Sequence, residues 1–444
     1  MARPSSLGKT RPRVIGVIRR PMAGGDGGAG QTMDSIGERT RAADAARNSF
    51  AFKRENECGL AIGAEEAIVA APMKSTPAGP VVSSRRKFLG QVAAGAATLT
   101  FAMPTRAQPA PTKKLGIAIV GLGGYASGLL APALKITEHV EVRAVVTGSP
   151  DKGKKWAQVF GFPEASIYGY DTMHRLADNK DVDIVYVVTP NALHAEEVII
   201  AAKAGKHVIS EKPFTTNVAD AERAMAACRA AKIKLSIGYR LHFDPYHEEL
   251  RRLAREKEFG AFTTAVGGYG FRMQQKVWRA EKKWAGGGPI MDLGVYFIQG
   301  ACMAAGGVAP IAVTAQEGPI TRPDIFADVE ETMNWTMEFA GGFVATGLTS
   351  YSTGLNRIRA EAPRGWIELT NAFAYNGIHG ATSTKPLSFE PPVNQQARQM
   401  DDFALCVREG RESRVSGEMG LRDMKIIEAI YAAAKTGKRT LVKA

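Results

Sequence analysis

The segment Leu115-Gly-Ile-Ala-Ile-Val-Gly-Leu-Gly-Gly-Tyr-Ala126 joins an apolar run to a glycine turn. Residues 115–120 are short and apolar, which predicts a buried strand, and the residues after the turn predict a helix through about Lys135. The glycines permit a tight turn and close approach of the backbone to a ligand, while Ala126 permits close packing of the helix on the strand. A helix that begins here points its amide groups at a pyrophosphate. The predicted turn residues are Gly121, Gly123, Gly124, Tyr125 and Ala126.

The rest of the chain predicts two kinds of sheet. Up to residue 238, strand-like segments alternate with helical ones, which is typical of a parallel sheet with helices on both faces. After residue 238, longer strands with alternating polarity follow one another, which predicts an antiparallel sheet with helices on one face. The fold class is therefore α/β. We expect an N-terminal Rossmann dinucleotide-binding domain over 115–238 and a C-terminal α+β domain over 239–444 with an open, mostly antiparallel sheet.

An export signal precedes these domains. Ser84-Arg-Arg-Lys-Phe-Leu-Gly90 is a twin-arginine motif, followed by an uncharged run and by Thr105-Arg-Ala107, after which a peptidase can cut. We interpret 73–107 as a twin-arginine signal peptide, 1–72 as a non-native or disordered extension, and 108–114 as a short arm. Because the twin-arginine route carries folded proteins, this signal predicts a periplasmic protein that takes up its cofactor before export.

Composition narrows the classes of function. The chain has 444 residues and a formal net charge of +13, and residues 1–107 contain 16 Lys or Arg against 8 Asp or Glu. Most of the excess charge lies in the part expected to be removed, and the remainder has no basic run with interleaved aromatic residues, so we expect no nucleic-acid partner. No later uncharged stretch reaches the roughly 20 residues that span a bilayer, so we expect no membrane anchor. Cysteine, histidine and carboxylate spacings predict no metal site.

The end of the second strand distinguishes the two nicotinamide nucleotides. Enzymes that bind NAD usually place Asp or Glu here, against the ribose 2′-hydroxyl. This chain has Thr147-Gly-Ser-Pro-Asp-Lys152 instead, whose hydroxyl groups and lysine suit a 2′-phosphate. The pattern favours NADP, although Asp151 leaves NAD open. The predicted ligands of this end of the cofactor are Thr147, Gly148, Ser149 and Lys152.

Five motifs carry a resemblance to a known family. They are Gly-Leu-Gly-Gly-Tyr-Ala at 121–126, Thr189-Pro-Asn-Ala-Leu-His194, Gly205-Lys-His-Val-Ile-Ser-Glu-Lys-Pro213, Gly238-Tyr-Arg-Leu-His242, and Trp278-Arg-Ala-Glu-Lys-Lys-Trp-Ala-Gly-Gly-Gly-Pro-Ile-Met-Asp-Leu-Gly-Val-Tyr296. With these motifs, residues 113–444 resemble the glucose–fructose oxidoreductase group of the Gfo/Idh/MocA family. The resemblance implies bound NADP, sugar substrates, a homodimer or homotetramer formed through the C-terminal sheet, and a cis bond before Pro213. It adds to the cofactor site Thr189, Pro190, Asn191, His194, Glu211, Lys212 and Arg240.

Three residues are the candidate catalytic groups. Lys212 lies at the carboxyl end of a strand, where open α/β sheets bind ligands, and its ammonium favours ionisation of a sugar hydroxyl or a nearby phenol. Asp292 and Tyr296 are four residues apart on a predicted helix, so both project from one face. Because the pKa of free tyrosine is about 10, Tyr296 needs a cation such as Lys212 to act as the base in alcohol oxidation. Asp292 would orient the sugar hydroxyl.

Residues near these three are expected to bind the substrate. The predicted substrate-binding set is Lys212, Arg240, His242, Asp292 and Tyr296. Arg240, His242 and Arg279 also suit structural ion pairs. Trp278 and Trp284 suit either stacking on a sugar or packing in the core.

The sequence therefore predicts a periplasmic sugar oxidoreductase that keeps NADP tightly bound. One aldose is oxidised to its lactone and a second sugar is reduced to an alditol, by hydride transfer in a ping-pong reaction. Two alternatives stay open: an NAD(P)-dependent sugar dehydrogenase with exchangeable cofactor, and an NAD-dependent glycosidase on the same fold. The glycosidase is expected to carry His at position 296 and an acidic residue at position 147.

Overall fold

The computed structural model describes residues 113–443. The predicted extension and signal peptide, and the arm up to residue 112, lie outside the described residues. Between residues 113 and 443, no helix has both the length and the apolar character needed to cross a membrane.

The first sheet is parallel and lies between two layers of helices. Its strands are β1 Leu115–Val120, β2 Val140–Val146, β3 Ile167–Tyr168, β4 Ile184–Val187, β5 His207–Ser210 and β6 Leu235–Ile237. They are arranged in the order β3-β2-β1-β4-β5-β6, and β1 and β4 are buried along almost their whole length because helices cover both faces. The helices of this region are α1 Ala131–Leu134, α2 Pro150–Phe160, α3 His194–Lys203 and α4 Val218–Ala230. The prediction of a Rossmann sheet is confirmed.

The second sheet is mixed and mostly antiparallel, as predicted. Its strands are β7 Thr264–Gly270, β8 Ala312–Glu317, β9 Thr332–Glu338, β10 Val344–Ser350, β11 Leu355–Ala362, β12 Gly365–Thr370, β13 His379–Thr382, β14 Pro386–Leu387 and β15 Thr440–Leu441. The order is β14-β13-β12-β11-β7-β10-β9-β8-β15, and β7 and β10 form its parallel pair. Alternating burial along β9 and β10 shows one covered face and one open face. The helices of this region are α5 Pro245–Glu256, α6 Lys282–Ala285, α7 Val295–Ala304, α8 Gln395–Glu409 and α9 Gly417–Thr436.

The C-terminal segment returns to the first sheet. Met400 and Phe403 of α8 are fully buried in the same apolar cluster as Ile117 and Ile119 of β1. Asp401 accepts hydrogen bonds from the backbone amides that precede β2, at Glu138 and His139. The core of the first sheet therefore depends on residues that lie about 280 positions later in the chain, so the predicted division at residue 238 does not separate two independent cores.

Removing the Phe403 side chain tests this dependence. Phe403→Ala is expected to lower the free energy of unfolding by about 3–5 kcal/mol, because it leaves a cavity between α8 and the first sheet. Glu409→Ala on the exposed end of the same helix is the matched control and is expected to change stability by less than about 0.5 kcal/mol. Urea unfolding followed by circular dichroism measures both. Equal effects of the two substitutions would contradict the packing role of α8.

Candidate active site

The candidate site lies where β5 ends and the second sheet begins. Glu211 and Lys212 follow β5 directly, and the Lys212–Pro213 bond is cis, as the resemblance implied. The Tyr186 hydroxyl donates to Glu211 over 2.7 Å, and the Lys212 amide donates to the same carboxylate over 3.1 Å. Burial raises the pKa of Glu211 despite these donors. Glu211 therefore fixes the backbone from which the Lys212 side chain leaves the first sheet.

Lys212 reaches across to Asp292. Its Nζ donates to the Asp292 carbonyl oxygen over 2.8 Å and lies 3.3 Å from Oδ1 of the same residue. Burial alone lowers the pKa of Lys212, but the facing groups Tyr296 and Asp292 outweigh burial and raise it. The amine therefore stays protonated at neutral pH and is a fixed cation of the site.

The Asp292 carboxylate is held by three donors of the protein. Besides Lys212, the Arg279 Nε lies 3.2 Å from Oδ1, and the Tyr351 hydroxyl donates to Oδ2 over 3.1 Å. Burial raises the pKa of Asp292, but Arg279 and Lys212 outweigh burial and lower it. Asp292 is therefore an anionic anchor for two cations, and this makes it a weak proton acceptor at neutral pH.

Tyr296 lies beside the anchored pair. The predicted helix that carries both residues begins as a π-helical turn, Ile290–Gly294, and continues as α7, so Asp292 and Tyr296 come from two different helical segments. The Tyr296 ring is 6% exposed, and Lys212 Nζ lies 4.7 Å from its centroid. The structure thus brings together Lys212, Asp292 and Tyr296, the three predicted catalytic groups.

Arg240 also lies against the Tyr296 ring. Its Cζ lies 4.9 Å from the centroid of the Tyr296 ring and 4.1 Å from that of Tyr375. The guanidinium donates to the carbonyl oxygens of Phe373 and Ala374, and so it holds the loop that carries the aromatic wall of the site.

A buried carboxylate that sequence reasoning missed holds the start of the π-helical turn. Glu330 is 6% exposed, and its two oxygens accept the amides of Gly288 and Ile290 over 2.9 and 3.2 Å. The Tyr431 hydroxyl donates to the same group over 3.0 Å. A Cβ on Gly287 would lie 1.8 Å from that hydroxyl, which explains a glycine there. Only the unusual run of three glycines before Pro289 could have signalled this clamp.

The glycine turn fits a dinucleotide. Gly121 has φ +94°, and a Cβ there would lie 2.9 Å from Thr189, so this position needs glycine. Beside Gly123 and Gly124 a Cβ would meet no atom within 4 Å, so the space in front of the π-helical turn Ala126–Leu130, whose N-cap is Tyr125, is open. These residues can hold a pyrophosphate against backbone amides.

The residues at the end of β2 form the outer part of the same groove. Thr147 is buried and accepts the Ser149 amide over 3.1 Å. Ser149 is the N-cap of α2, and its own hydroxyl makes no capping hydrogen bond. Gly148 is exposed and Lys152 half-buried beside it. This arrangement offers a helix N-terminus and hydroxyl groups to an anion.

The loop after β4 lies against the glycine turn. The Thr189 hydroxyl donates to buried Glu197, and Asn191 donates to the Ala285 carbonyl of α6 over 2.8 Å. Pro190 lies between them and is half-buried. His194 is fully buried, and its ring nitrogens lie 2.9 and 3.0 Å from the carbonyl oxygens of Thr189 and Pro213. His194 therefore ties two loops of the site together, and this geometry corrects the expectation that its ring contacts the cofactor.

His242 also lies apart from the cluster. Its Nε2 lies 2.7 Å from the Gln299 side chain, and its Nδ1 faces Arg251 over 3.1 Å. Because His242 is buried and both of its nitrogens contact protein side chains, the expectation that it binds a sugar is corrected to a structural role. Trp284 is buried in the core, whereas Trp278 is half-buried and packs against Arg279. Among residues 113–443, no group of three or more His, Cys, Asp or Glu is arranged to hold a metal ion.

Two family models match this chain. Residues 115–239 match an oxidoreductase family with an NAD-binding Rossmann fold, GFO_IDH_MocA, and residues 247–369 match the GFO/IDH/MocA C-terminal domain. Together the matches cover more than half of the chain. The first sheet is therefore an NAD(P)-binding Rossmann domain.

Individual relatives agree with these matches. The crystal structure of aldose-aldose oxidoreductase from Caulobacter crescentus, complexed with glycerol, is 40% identical, with a TM-score of 0.72, and covers 74% of this chain and 100% of its own. D-xylose 1-dehydrogenase (NADP(+)) 2 of Haloferax volcanii is 27% identical over 72% of this chain and 97% of its own length. Levoglucosan dehydrogenase shares the fold, with a TM-score of 0.66 at 19% identity over 75% of this chain and 100% of its own.

The buried Glu330 predicts a pH dependence of stability. Burial raises the pKa of Glu330 to about 7, from an ordinary value of 4.5. The folded state then holds this proton more tightly than the unfolded state, so the free energy of unfolding falls as the pH rises from about 4.5 to about 7. Glu330→Gln is expected to remove this part of the slope in urea titrations at a series of pH values. The exposed Glu317→Gln is the control, and an unchanged slope in Glu330→Gln would contradict the assignment.

Proposed function

The chain belongs to the Gfo/Idh/MocA family of oxidoreductases, and from that membership we propose that it is a sugar oxidoreductase with tightly bound NADP. In this proposal an aldose is oxidised at its anomeric carbon to the lactone, and a second sugar is reduced to the alditol in the same site. The observation that carries the proposal is the cluster of Lys212, Asp292 and Tyr296 at the end of β5, beside the dinucleotide groove. The 40% identity to an aldose-aldose oxidoreductase supports the substrate class.

The chain's own residues supply the proton chemistry. Bound NADP would take up the hydride that leaves the anomeric carbon and would later return it to the second sugar. As the hydride leaves, the Tyr296 oxygen takes the proton of the anomeric hydroxyl, and the C–O single bond becomes the lactone carbonyl. Lys212, whose Nζ lies 4.7 Å from the centroid of the Tyr296 ring, is the fixed cation beside this proton transfer.

The return reaction uses the same groups in reverse. As hydride adds to the carbonyl carbon of the second sugar, the protonated Tyr296 gives its proton to the carbonyl oxygen, so no net proton is gained or lost over the two half-reactions. Lys212 and Arg279 remain fixed on Asp292 throughout and present their remaining donors to the substrate oxygens. The rings of half-buried Tyr269 and buried Phe373 lie 5.7 and 6.1 Å from that of Tyr296 and keep bulk water from this proton.

Three further parts of the proposal concern cofactor, location and assembly. The uncapped Ser149 hydroxyl at the start of α2, with Thr147 and Lys152 near it, favours NADP over NAD. The twin-arginine motif at 84–90 favours the periplasm. The open face of the second sheet favours a homodimer or homotetramer.

Retention of the cofactor predicts what the purified protein contains. After extensive desalting, the protein is expected to keep about one nucleotide per chain, visible by absorbance and identified as NADP by mass spectrometry of the denatured extract. Addition of an aldose that the enzyme accepts is expected to reduce this nucleotide with no cofactor supplied, which also identifies the sugar in a screen. Protein that is free of nucleotide and active only with added NADP would instead support an ordinary sugar dehydrogenase. Release of nitrophenol from aryl glycosides would support the glycosidase.

The role of Tyr296 predicts the effect of removing one oxygen. Tyr296→Phe keeps the ring that packs against Phe373 and is expected to slow the single-turnover reduction of bound nucleotide by about 10²–10⁴-fold. Reoxidation by the second sugar is expected to slow by a similar factor, because the same oxygen returns the proton. Retained nucleotide content is the control for folding. Rates near those of the wild type would remove Tyr296 from the mechanism.

A further inference from the structure

A loop of the second sheet reaches the glycine turn of the first. Residues 371–378 join β12 to β13, and Tyr375 of this loop packs against Tyr125, with ring centroids 6.1 Å apart and an angle of 41° between the ring planes. Tyr125 belongs to the glycine turn, where it is the N-cap of the π-helical turn Ala126–Leu130. The two rings therefore connect the second sheet directly to the segment that can hold a pyrophosphate.

The same two rings also adjoin the candidate catalytic groups. The Cζ of Arg240 lies 4.1 Å from the centroid of the Tyr375 ring and 4.9 Å from that of Tyr296. On the other side of the pair, burial and the nearby Glu211 carboxylate raise the pKa of Tyr125 well above its ordinary value, so its hydroxyl stays uncharged. The contact between Tyr125 and Tyr375 thus lies between the glycine turn and the catalytic groups, the two places that a dinucleotide must connect.

Hydrogen bonds fix the backbone of this loop without the Tyr375 side chain. Asn371 has φ +49°, and its side-chain nitrogen donates to the carbonyl oxygens of Asn376 and Gly377 over 3.2 and 3.0 Å. Its side-chain oxygen accepts a hydrogen bond from Asn356 over 3.0 Å. The Tyr375 residue that this loop carries is 38% exposed. A ring that is already held in place, with part of its surface accessible, loses little conformational freedom when a ligand binds to it.

We propose that Tyr375 is a nucleotide-binding residue that closes, together with Tyr125, over the dinucleotide at the glycine turn and slows its release. This inference rests on the proposed function, in which NADP stays bound between the two half-reactions. An aromatic ring buries a large apolar surface against a ligand. Because the contact between the two rings must open before the nucleotide leaves, its effect falls on the dissociation rate. Both rings belong to one chain, so this closure needs no partner subunit.

The rate at which bound nucleotide leaves the protein tests this proposal without turnover. The protein is loaded with NADPH, desalted and mixed with excess NADP, and the change in fluorescence gives the release rate of NADPH. Tyr375→Ala removes the ring and Tyr375→Phe keeps it. Asn371→Gly removes the hydrogen bonds that fix the loop, while glycine keeps the positive φ. Asn376→Ala changes an exposed side chain of the same loop and is the matched control.

Tyr375→Ala is expected to release NADPH about 10–100-fold faster than the wild type, the effect expected for loss of one aromatic contact with a ligand. Tyr375→Phe and Asn376→Ala are expected to stay within about twofold of the wild type. Asn371→Gly is expected to fall between these limits, because the ring remains but its loop is no longer fixed. Circular dichroism of each variant without nucleotide is the control for folding.

Release from folded Tyr375→Ala at the wild-type rate would overturn the proposal and leave the proposed function standing. A raised KM for the sugar with an unchanged release rate would also overturn it, because the ring would then belong to the sugar pocket. If Tyr375→Ala does not fold, Asn371→Gly decides: faster release supports the closure, and the wild-type rate overturns it.

A separate outcome concerns the proposed function itself. If the wild type keeps no nucleotide after desalting, the proposed retention fails, and equilibrium titration with NADPH tests the Tyr375 contact alone. Weaker binding by Tyr375→Ala than by Tyr375→Phe would then support Tyr375 as a nucleotide-binding residue, and equal binding would overturn it.

Discussion

The contact between Lys212 and Asp292 joins the two sheets at the candidate active site. Lys212 leaves the end of β5 in the first sheet, and Asp292 belongs to the turn that is packed on the second. Each residue has its own anchor behind it, Glu211 for the lysine and the Glu330 clamp for the turn that carries the aspartate. The site therefore keeps its geometry only if the two sheets keep their relative position. Glu211 and Glu330 are both buried, and each stabilises one of the two segments that meet there.

Charged groups are distributed unequally around the contact between Lys212 and Asp292. Lys212 and Arg279 share the Asp292 carboxylate, and Lys212 and Arg240 lie 4.7 and 4.9 Å from the centroid of the Tyr296 ring. Aromatic rings close the space around it and limit screening by water. Against the effect of burial, Arg279 and Lys212 lower the pKa of Asp292, which makes this carboxylate a weak proton acceptor, so the proposed function assigns proton transfer to Tyr296.

Local pattern was sufficient for much of this structure. The apolar run and glycine turn at 115–126 predicted β1 and the groove, and the spacing of Asp292 and Tyr296 predicted that both project from one face. What sequence could not supply were contacts between distant residues: Glu330 lies 42 residues beyond Gly288, and Tyr351 lies 59 beyond Asp292. The position of His242 beside Arg240 in a motif also misled, because a short 3₁₀ turn at 240–243 sends one side chain to the site and the other into the core.

The central claim is that one site passes a hydride between two sugars through a nucleotide that stays bound. An aldose labelled with deuterium at its anomeric carbon tests it most directly when it is mixed with the desalted enzyme and an acceptor sugar, with no nucleotide added. The account predicts that the alditol product carries the deuterium, as read by mass spectrometry, and that the lactone has lost it. Alditol without deuterium, or no alditol until NADP is supplied, would contradict the account.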